Sequence, residues 1–252
     1  MRVQKRLIEL LMPSAEGERI ADVRIGLGYS VVKLGGGRAG VASTPGTGAR
    51  CCTHLQAAGT LVGRPATELL AMLGDENSPL ARAVGLATAN ALLASRTHPT
   101  TSRTDVLTLL DIKPDDHVVM FGDFAPLMPR LRESKCRVDV IELDPQRGGT
   151  VPLGREEVTV ADCTIAIVTG TTLINATLDR VLAKLTRPRA AVLLGPSSPM
   201  CIEAFQGTAI SHVAGARVRD VDAVLRVVSE GGGTMKMKPF LDFETVTRGF
   251  DR

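Results

Sequence analysis

Tryptophan is absent from the 252 residues, tyrosine occurs once, and aromatic residues make up only 3% of the chain. Single-stranded nucleic-acid binders stack bases on aromatic side chains, so no nucleic-acid partner is expected. Excess charge of one sign is also lacking: 30 Lys and Arg against 27 Asp and Glu leave a formal charge of +3, too little to organise a chain around a polyanion. No apolar run approaches the ~20 residues of a membrane helix, because Asp111, Thr171 or Asn175 interrupts each candidate. Membrane insertion is therefore not expected. At the start, basic residues precede a short apolar patch, but Glu9 breaks it and Pro13 follows without an Ala-x-Ala cleavage pattern, unlike a secretory leader. Val3, Leu7 and Leu10 have instead the spacing of an amphipathic first helix. Cysteine is sparse too: five residues, an odd number without a CxxC pair, predict reduced thiols and a cytoplasmic setting.

What is present describes a globular chain. It is 44% hydrophobic and 23% charged, with 25 Gly and 14 Pro, well inside the range that buries a core. The pattern changes character near residues 95–104, where Ser95-Arg96-Thr97-His98-Pro99-Thr100-Thr101-Ser102 is polar, carries a proline and has no period. This divides the chain into a unit 1–96, a linker 97–104 and a unit 105–252. In the first unit, Ala21 to Lys33 and Arg38 to Ser43 are β-rich runs flanking Gly35-Gly36-Gly37, which reads as a hairpin. Residues 52–73 look helical in pieces. Ser78-Pro79 supplies an N-cap and an N1 proline for a helix through Leu93, with Leu80, Val84, Ala87 and Ala91 on one stripe and Asn90 beside it.

The second unit alternates apolar runs with helical segments, the signature of a mostly parallel sheet covered by helices. Candidate strands are His117 to Phe121, Arg137 to Glu142, Thr164 to Thr169, Ala190 to Leu194 and Ile210 to Val213. Candidate helices are Pro126 to Ser134, Leu173 to Leu185, Met200 to Phe205 and Val221 to Ser229. Ligands of such sheets sit beyond the carboxyl ends of the strands, and four loops qualify. Phe121-Gly122-Asp123-Phe124-Ala125-Pro126 lacks the GxGxxG spacing that brings pyrophosphate to the backbone, and Asp123 is either a cap or a ligand contact. Glu142-Leu143-Asp144-Pro145 puts acids where a ribose hydroxyl is often met, although Asp before Pro is also ordinary turn chemistry. Thr169-Gly170-Thr171-Thr172 enters a helix carrying Asn175 and Thr177; its hydroxyls and N–H groups suit an anion, or simply cap the helix. It contains no Lys, so it is no Walker loop. Gly195-Pro196-Ser197-Ser198-Pro199-Met200 is a stiff loop that suits a binding wall or a plain strand-to-helix turn.

Soft-metal ligands are few. Cys51, Cys52 and His54 form a CCxH cluster, and Met200, Cys201 and His212 come later. In an extended chain only Cys52 and His54 share a side; in a helix Cys51 and His54 meet. In the extended form one ion cannot easily take all three, and small buried side chains with a local hydrogen bond explain the same letters. Arginines 130, 132, 187, 189, 217 and 219 are scattered over presumed helix ends and edges and read as solvated surface.

Taken together, several segments resemble the putative heavy-metal chelation family of bacterial and archaeal two-domain proteins, over almost the whole chain. They are the hairpin Ile25 to Thr44, Leu61-Val62-Gly63-Arg64-Pro65, Gly85 to Leu92, Gly122 to Pro126, Glu142, Thr169 to Thr177 and Gly195 to Pro199. The resemblance implies an α/β protein: a small α+β unit folded like the N-terminal domain of enolase, then a Rossmann-like unit with a mostly parallel sheet, and a cleft between them. It implies no enolase catalysis, since the barrel that carries enolase's metal site is absent. The matching positions implied to face the cleft are Asn90, Asp123, Glu142, Thr171, Thr172, Asn175 and Ser197. These offer oxygen donors, which suit hard cations or the polar groups of an organic chelate better than soft metals. The expectation is a protein that binds a small polar ligand, a metal ion or a metal chelate. Glu142 or Asp123 would contact the metal or ligand hydroxyls, Thr171 and Thr172 would hold an anionic group, and Asn90 would close the site. Metal ligation through Cys51, Cys52 or His54 would be private to this chain. The rival expectation is an enzyme that modifies a metallophore or transfers a group, with a nucleotide or methyl donor in the same cleft. A homodimer is expected on base rates alone.

Overall fold

A computed structural model describes residues 2–46, 55–122, 124–142, 149–151 and 155–249. The chain opens with helix α1 (Arg2–Ala15), whose buried stripe is Val3, Leu7, Leu11 and Ala15, four residues apart. Leu10, expected on that stripe, is 40% exposed. Next come β1 (Ile20–Ile25), β2 (Tyr29–Leu34) and β3 (Ala39–Ser43), an antiparallel meander. The expected single strand Ala21 to Lys33 is therefore two. Gly26-Leu27-Gly28 turns the chain, with the Gly26 N–H donating to the Tyr29 carbonyl at 2.9 Å. A side chain at Gly26 would overlap the Val228 carbonyl, so glycine is required where the turn meets a neighbouring helix.

Of residues 52–73, the described part forms α2 (Ala66–Ala71) and a 3-10 turn over Met72–Gly74. Helix α3 (Pro79–Leu93) follows, and the Ser78 hydroxyl accepts from the Ala81 N–H at 3.1 Å as its cap. Thirteen of its fifteen residues are buried, because it lies between the meander and the larger sheet. Its small residues allow close approach: a Cβ on Gly40 of β3 would overlap the backbone of Ala87 and Ala91.

The rest of the chain builds a seven-stranded sheet in the order β4-β10-β9-β8-β7-β5-β6. The elements are β4 (Thr101–Ser102), α4 (Val106–Leu110), β5 (His117–Phe121), α5 (Met128–Glu133), β6 (Arg137–Ile141), α6 (Glu156–Ala161), β7 (Ile165–Thr169) and α7 (Thr171–Ile174). They continue with α8 (Leu178–Lys184), β8 (Ala190–Leu194), β9 (His212–Val218), α9 (Val221–Ser229), α10 (Thr234–Met237) and β10 (Leu241–Thr247). Strands β5 to β9 run parallel, and β10 and β4 close one edge antiparallel.

Several sequence expectations change here. The polar stretch 97–104 contributes an edge strand, Thr101–Ser102, and Leu241–Thr247 is a strand that the sequence did not announce. The strand expected at Ile210 to Val213 runs instead over His212–Val218. The helix expected over Leu173 to Leu185 is broken at Ala176, which takes a left-handed φ of 55°. Met200 to Phe205 contains only a 3-10 turn, Ile202–Phe205.

Side chains of the parallel strands alternate between two covers, as the period of two dictates. Val119, Phe121, Ala166, Val168, Ala191 and Leu193 join one apolar cluster with α1 and α3. Val118, Met120, Ile165, Ile167 and Val192 join another with α4 and Leu131 of α5. The first hundred residues thus provide the layer that covers one face of the large sheet. No helix among the described residues is long and apolar enough to cross a membrane.

Candidate functional site

Strands β5, β6 and β7 end side by side, at Phe121, Ile141 and Thr169. Counted from β5, the parallel strands have the order 2-1-3-4-5: β6 lies on one side of β5 and β7 on the other. Connections leaving a sheet at such a reversal diverge and open a crevice at the carboxyl ends. A cavity of ≈ 730 Å³ occupies that place.

Its floor is the ends of the three strands. Gly122 continues β5 with φ 99°, a conformation that favours glycine, and a Cβ there would lie a tight 3.0 Å from Thr169 Cγ2. Glu142, half-buried, brings the one acidic side chain among the described lining residues. From β7 come Thr169, Thr171 and Thr172. The Thr169 and Thr171 hydroxyls lie 3.1 Å apart in a hydrogen bond, and the Thr172 hydroxyl donates to the Thr169 carbonyl at 2.7 Å. A Cβ on Gly170 would stand 2.7 Å from Ser198 Oγ, which fixes this turn against the loop after β8. Helix α7 is a single turn, and Asn175 ends it exposed at the cavity.

The remaining walls come from two other places. Ser43, Thr44, Pro45 and Gly46, leaving β3, supply one; Thr177, Arg180, Val181 and Lys184 of the α8 segment supply the other. A second, more apolar hollow of ≈ 560 Å³ shares Thr44, Pro45 and Gly46 and continues to Ile25, Leu27 and Leu80.

Of the residues singled out in the sequence, Glu142, Thr171, Thr172 and Asn175 lie together on this cavity. Asn90 and Ser197 lie beside it as joints. The Asn90 amide donates to the Val41 carbonyl at 2.8 Å and to the Ser197 carbonyl at 3.4 Å, while Ser197 Oγ accepts from the Ser43 N–H at 2.8 Å. They position the β3 wall and are themselves buried. Asp123, Cys51, Cys52 and His54 lie outside the described residues. Cys201, weighed among the soft donors, is buried against Arg96 and Glu203, and burial pushes its thiol up to about 11, leaving it protonated and unreactive.

Arg189 and Arg217, expected as solvated surface, instead fasten elements together. Arg189 grips Asp116 through both carboxylate oxygens and holds that acid well below the usual range. Arg217 pairs with Glu244 and donates to the carbonyls of Leu93, Ala94 and Arg96 at the end of α3. Conversely, Arg180 and Lys184 drew no notice in the sequence. The signal that could have found them is their spacing from Thr177, three and seven residues on, immediately after a loop already suspected.

Models described as putative heavy-metal chelation match residues 105–247 and 8–93. An uncharacterized protein of Methanocaldococcus jannaschii is 26% identical over 243 residues, 94% of this chain and 93% of that protein. Crystal structures of two proteins of unknown function show the same fold. The one from Pyrococcus horikoshii has a TM-score of 0.84 at 20% identity, covering 98% of this chain and 100% of that one. The one from Desulfitobacterium hafniense has a TM-score of 0.77 at 20% identity, covering 97% and 99%.

Proposed function

Because the chain belongs to the putative heavy-metal chelation family, we propose that it binds a small polar ligand, a metal chelate or its precursor, in the cavity at the ends of β5, β6 and β7. The observation that carries this reading is the cavity's place at the strand-order reversal, with oxygen groups converging on it from separate strand ends and from β3. In the same reading the chain consists of an enolase N-terminal-like unit, 1–96, and a Rossmann-like unit, 105–252, joined by 97–104. The meander packed on α3 supports the first assignment and the 2-1-3-4-5 order the second.

A bare soft metal ion fits the described donors poorly. Among the described residues no three His, Cys, Asp or Glu side chains are grouped to hold a metal. The cavity offers one carboxylate with hydroxyl and amide oxygens, beside two cationic side chains. Soft cations favour thiolate, and many transition metals imidazole, neither of which lines it among the described residues. A metal already wrapped in an organic chelate needs only hydrogen bonds and complementary charge from the protein. Calorimetric titration tests this with nickel citrate and with nickel chloride alone. The chelate is expected to bind, about tenfold more weakly in Glu142→Ala and in Thr171→Ala, and the free ion to bind less tightly than the chelate. Equal chelate affinity in the wild type and both variants removes the site.

A second reading, an enzyme transferring a group from a nucleotide or methyl donor, rests on the same crevice, where cosubstrates of such sheets sit. A melting temperature raised by ATP or S-adenosylmethionine would favour it.

A further inference from the structure

Thr177, Arg180, Val181 and Lys184 all line the cavity, at the three- and four-residue steps that define one helical face. Thr177 stands at the cap position of α8 without making a side-chain cap bond. Its Oγ1 is buried and has no hydrogen-bond partner, although buried hydroxyls are normally satisfied. Neither Arg180 nor Lys184 forms an ion pair with a described residue. Asp179, the acid beside them on the helix, faces away and accepts from the Arg2 N–H at 2.6 Å, at the start of α1. Arg180 is exposed and Lys184 half-buried, so both cations keep access to water at the cavity they line. Against these two cations the described lining sets one acid, Glu142.

We infer that this face of α8 is an anion clamp, and that the ligand carries a carboxylate or phosphate group held by Arg180 and Lys184. The inference rests on the cavity being the ligand site, as proposed above, and names the chemistry of what enters. Phosphate sites in sheets of this order use a glycine-rich turn opening a long helix. Here the helix after β7 is one turn long, and the sequence that follows β5, Gly122-Asp123-Phe124, is not glycine-rich. A carboxylate, carried by an organic acid able to bind metal, is therefore the favoured source.

Metal-free citrate and inorganic phosphate, titrated separately into wild type, Arg180→Gln, Lys184→Gln and Thr171→Ala, distinguish the outcomes. Citrate is expected to bind, about tenfold more weakly in each α8 variant, and to weaken further as salt is added. Phosphate binding with the same dependence, in the absence of citrate binding, would keep the clamp and move the source to a phosphoryl group. Chelate or citrate binding that Thr171→Ala weakens but both α8 variants leave unchanged would overturn the clamp and spare the cavity. No response to either anion at millimolar concentration would also overturn the clamp. Nickel citrate binding insensitive to both Glu142→Ala and Thr171→Ala would overturn the reading beneath it.

Discussion

Asn90 occupies a buried turn of α3, where an amide is tolerated only if its polar atoms find partners outside the helix. It finds them in the carbonyls of Val41 and Ser197, joining β3 and the β8 loop to the same helix. Asn90→Ala should therefore cost about 1–3 kcal/mol of stability in urea unfolding, the penalty for stranding buried carbonyls. Asn90→Asp should cost more at neutral pH, since a carboxylate would face two carbonyl oxygens, and should recover in acid as it regains a proton to donate. Asp116 works in the opposite sense. Its folded-state pKa is lowered, chiefly by the hydrogen bonds from Arg189, so its contribution is complete above the ordinary carboxylate range and is lost as pH falls toward the lowered value. Between pH 6 and pH 2 the wild type is expected to lose stability more steeply than Asp116→Asn; parallel slopes would refute the assignment. At this scale the sequence was legible where a residue had a single use. The threonines after β7 and Glu142 at the end of β6 read as polar groups at strand ends and are found there. Arg180 and Lys184 drew no notice because only the folded chain brings the α8 segment to the cavity wall.

Among the secondary-structure elements, β5, β7 and β8 announced themselves as uninterrupted apolar runs, since a parallel strand is buried on both faces. Strand β10 did not: Asp242 and Glu244 alternate with apolar residues in a half-buried strand next to the short edge strand β4, a pattern that a loop or a helix end can imitate. The turn at Gly26 to Gly28 was hidden for another reason, because β-favouring residues flank it on both sides. What fixes the placement of these elements is close backbone approach. Helix α3 reaches β3 across Gly40, where a methyl group would overlap the backbone of Ala87 and Ala91. Gly40→Ala is thus expected to remove at least ~3 kcal/mol of stability or prevent folding. Gly36→Ala, in a turn where a Cβ meets nothing within 4 Å, should stay within about 0.5 kcal/mol of wild type. Comparing soluble yield and unfolding midpoint of the two variants checks this.

For the whole molecule, the shared apolar cluster that runs from α1 through α3 to β5, β7 and β8 predicts a single cooperative transition on heating. Tyr29, the only tyrosine and unaccompanied by tryptophan, lies in the cluster that joins β2 and β3 to α9, with its hydroxyl 2.8 Å from that of Thr234. Its emission reports on the seam between the two parts of the chain, whereas far-ultraviolet dichroism reports on all helices and strands. The two midpoints should coincide; a gap of several degrees would mean that the parts melt separately. The two hollows that share the wall from Thr44 to Gly46 carry a consequence for chemistry rather than for folding. A synthetic compound with an acidic head for the larger chamber and a greasy tail threaded past Pro45 into the smaller one would gain from tethering, since the second moiety arrives at millimolar effective concentration. That three-residue partition is thus the place where a ligand assembled from fragments would carry its linker.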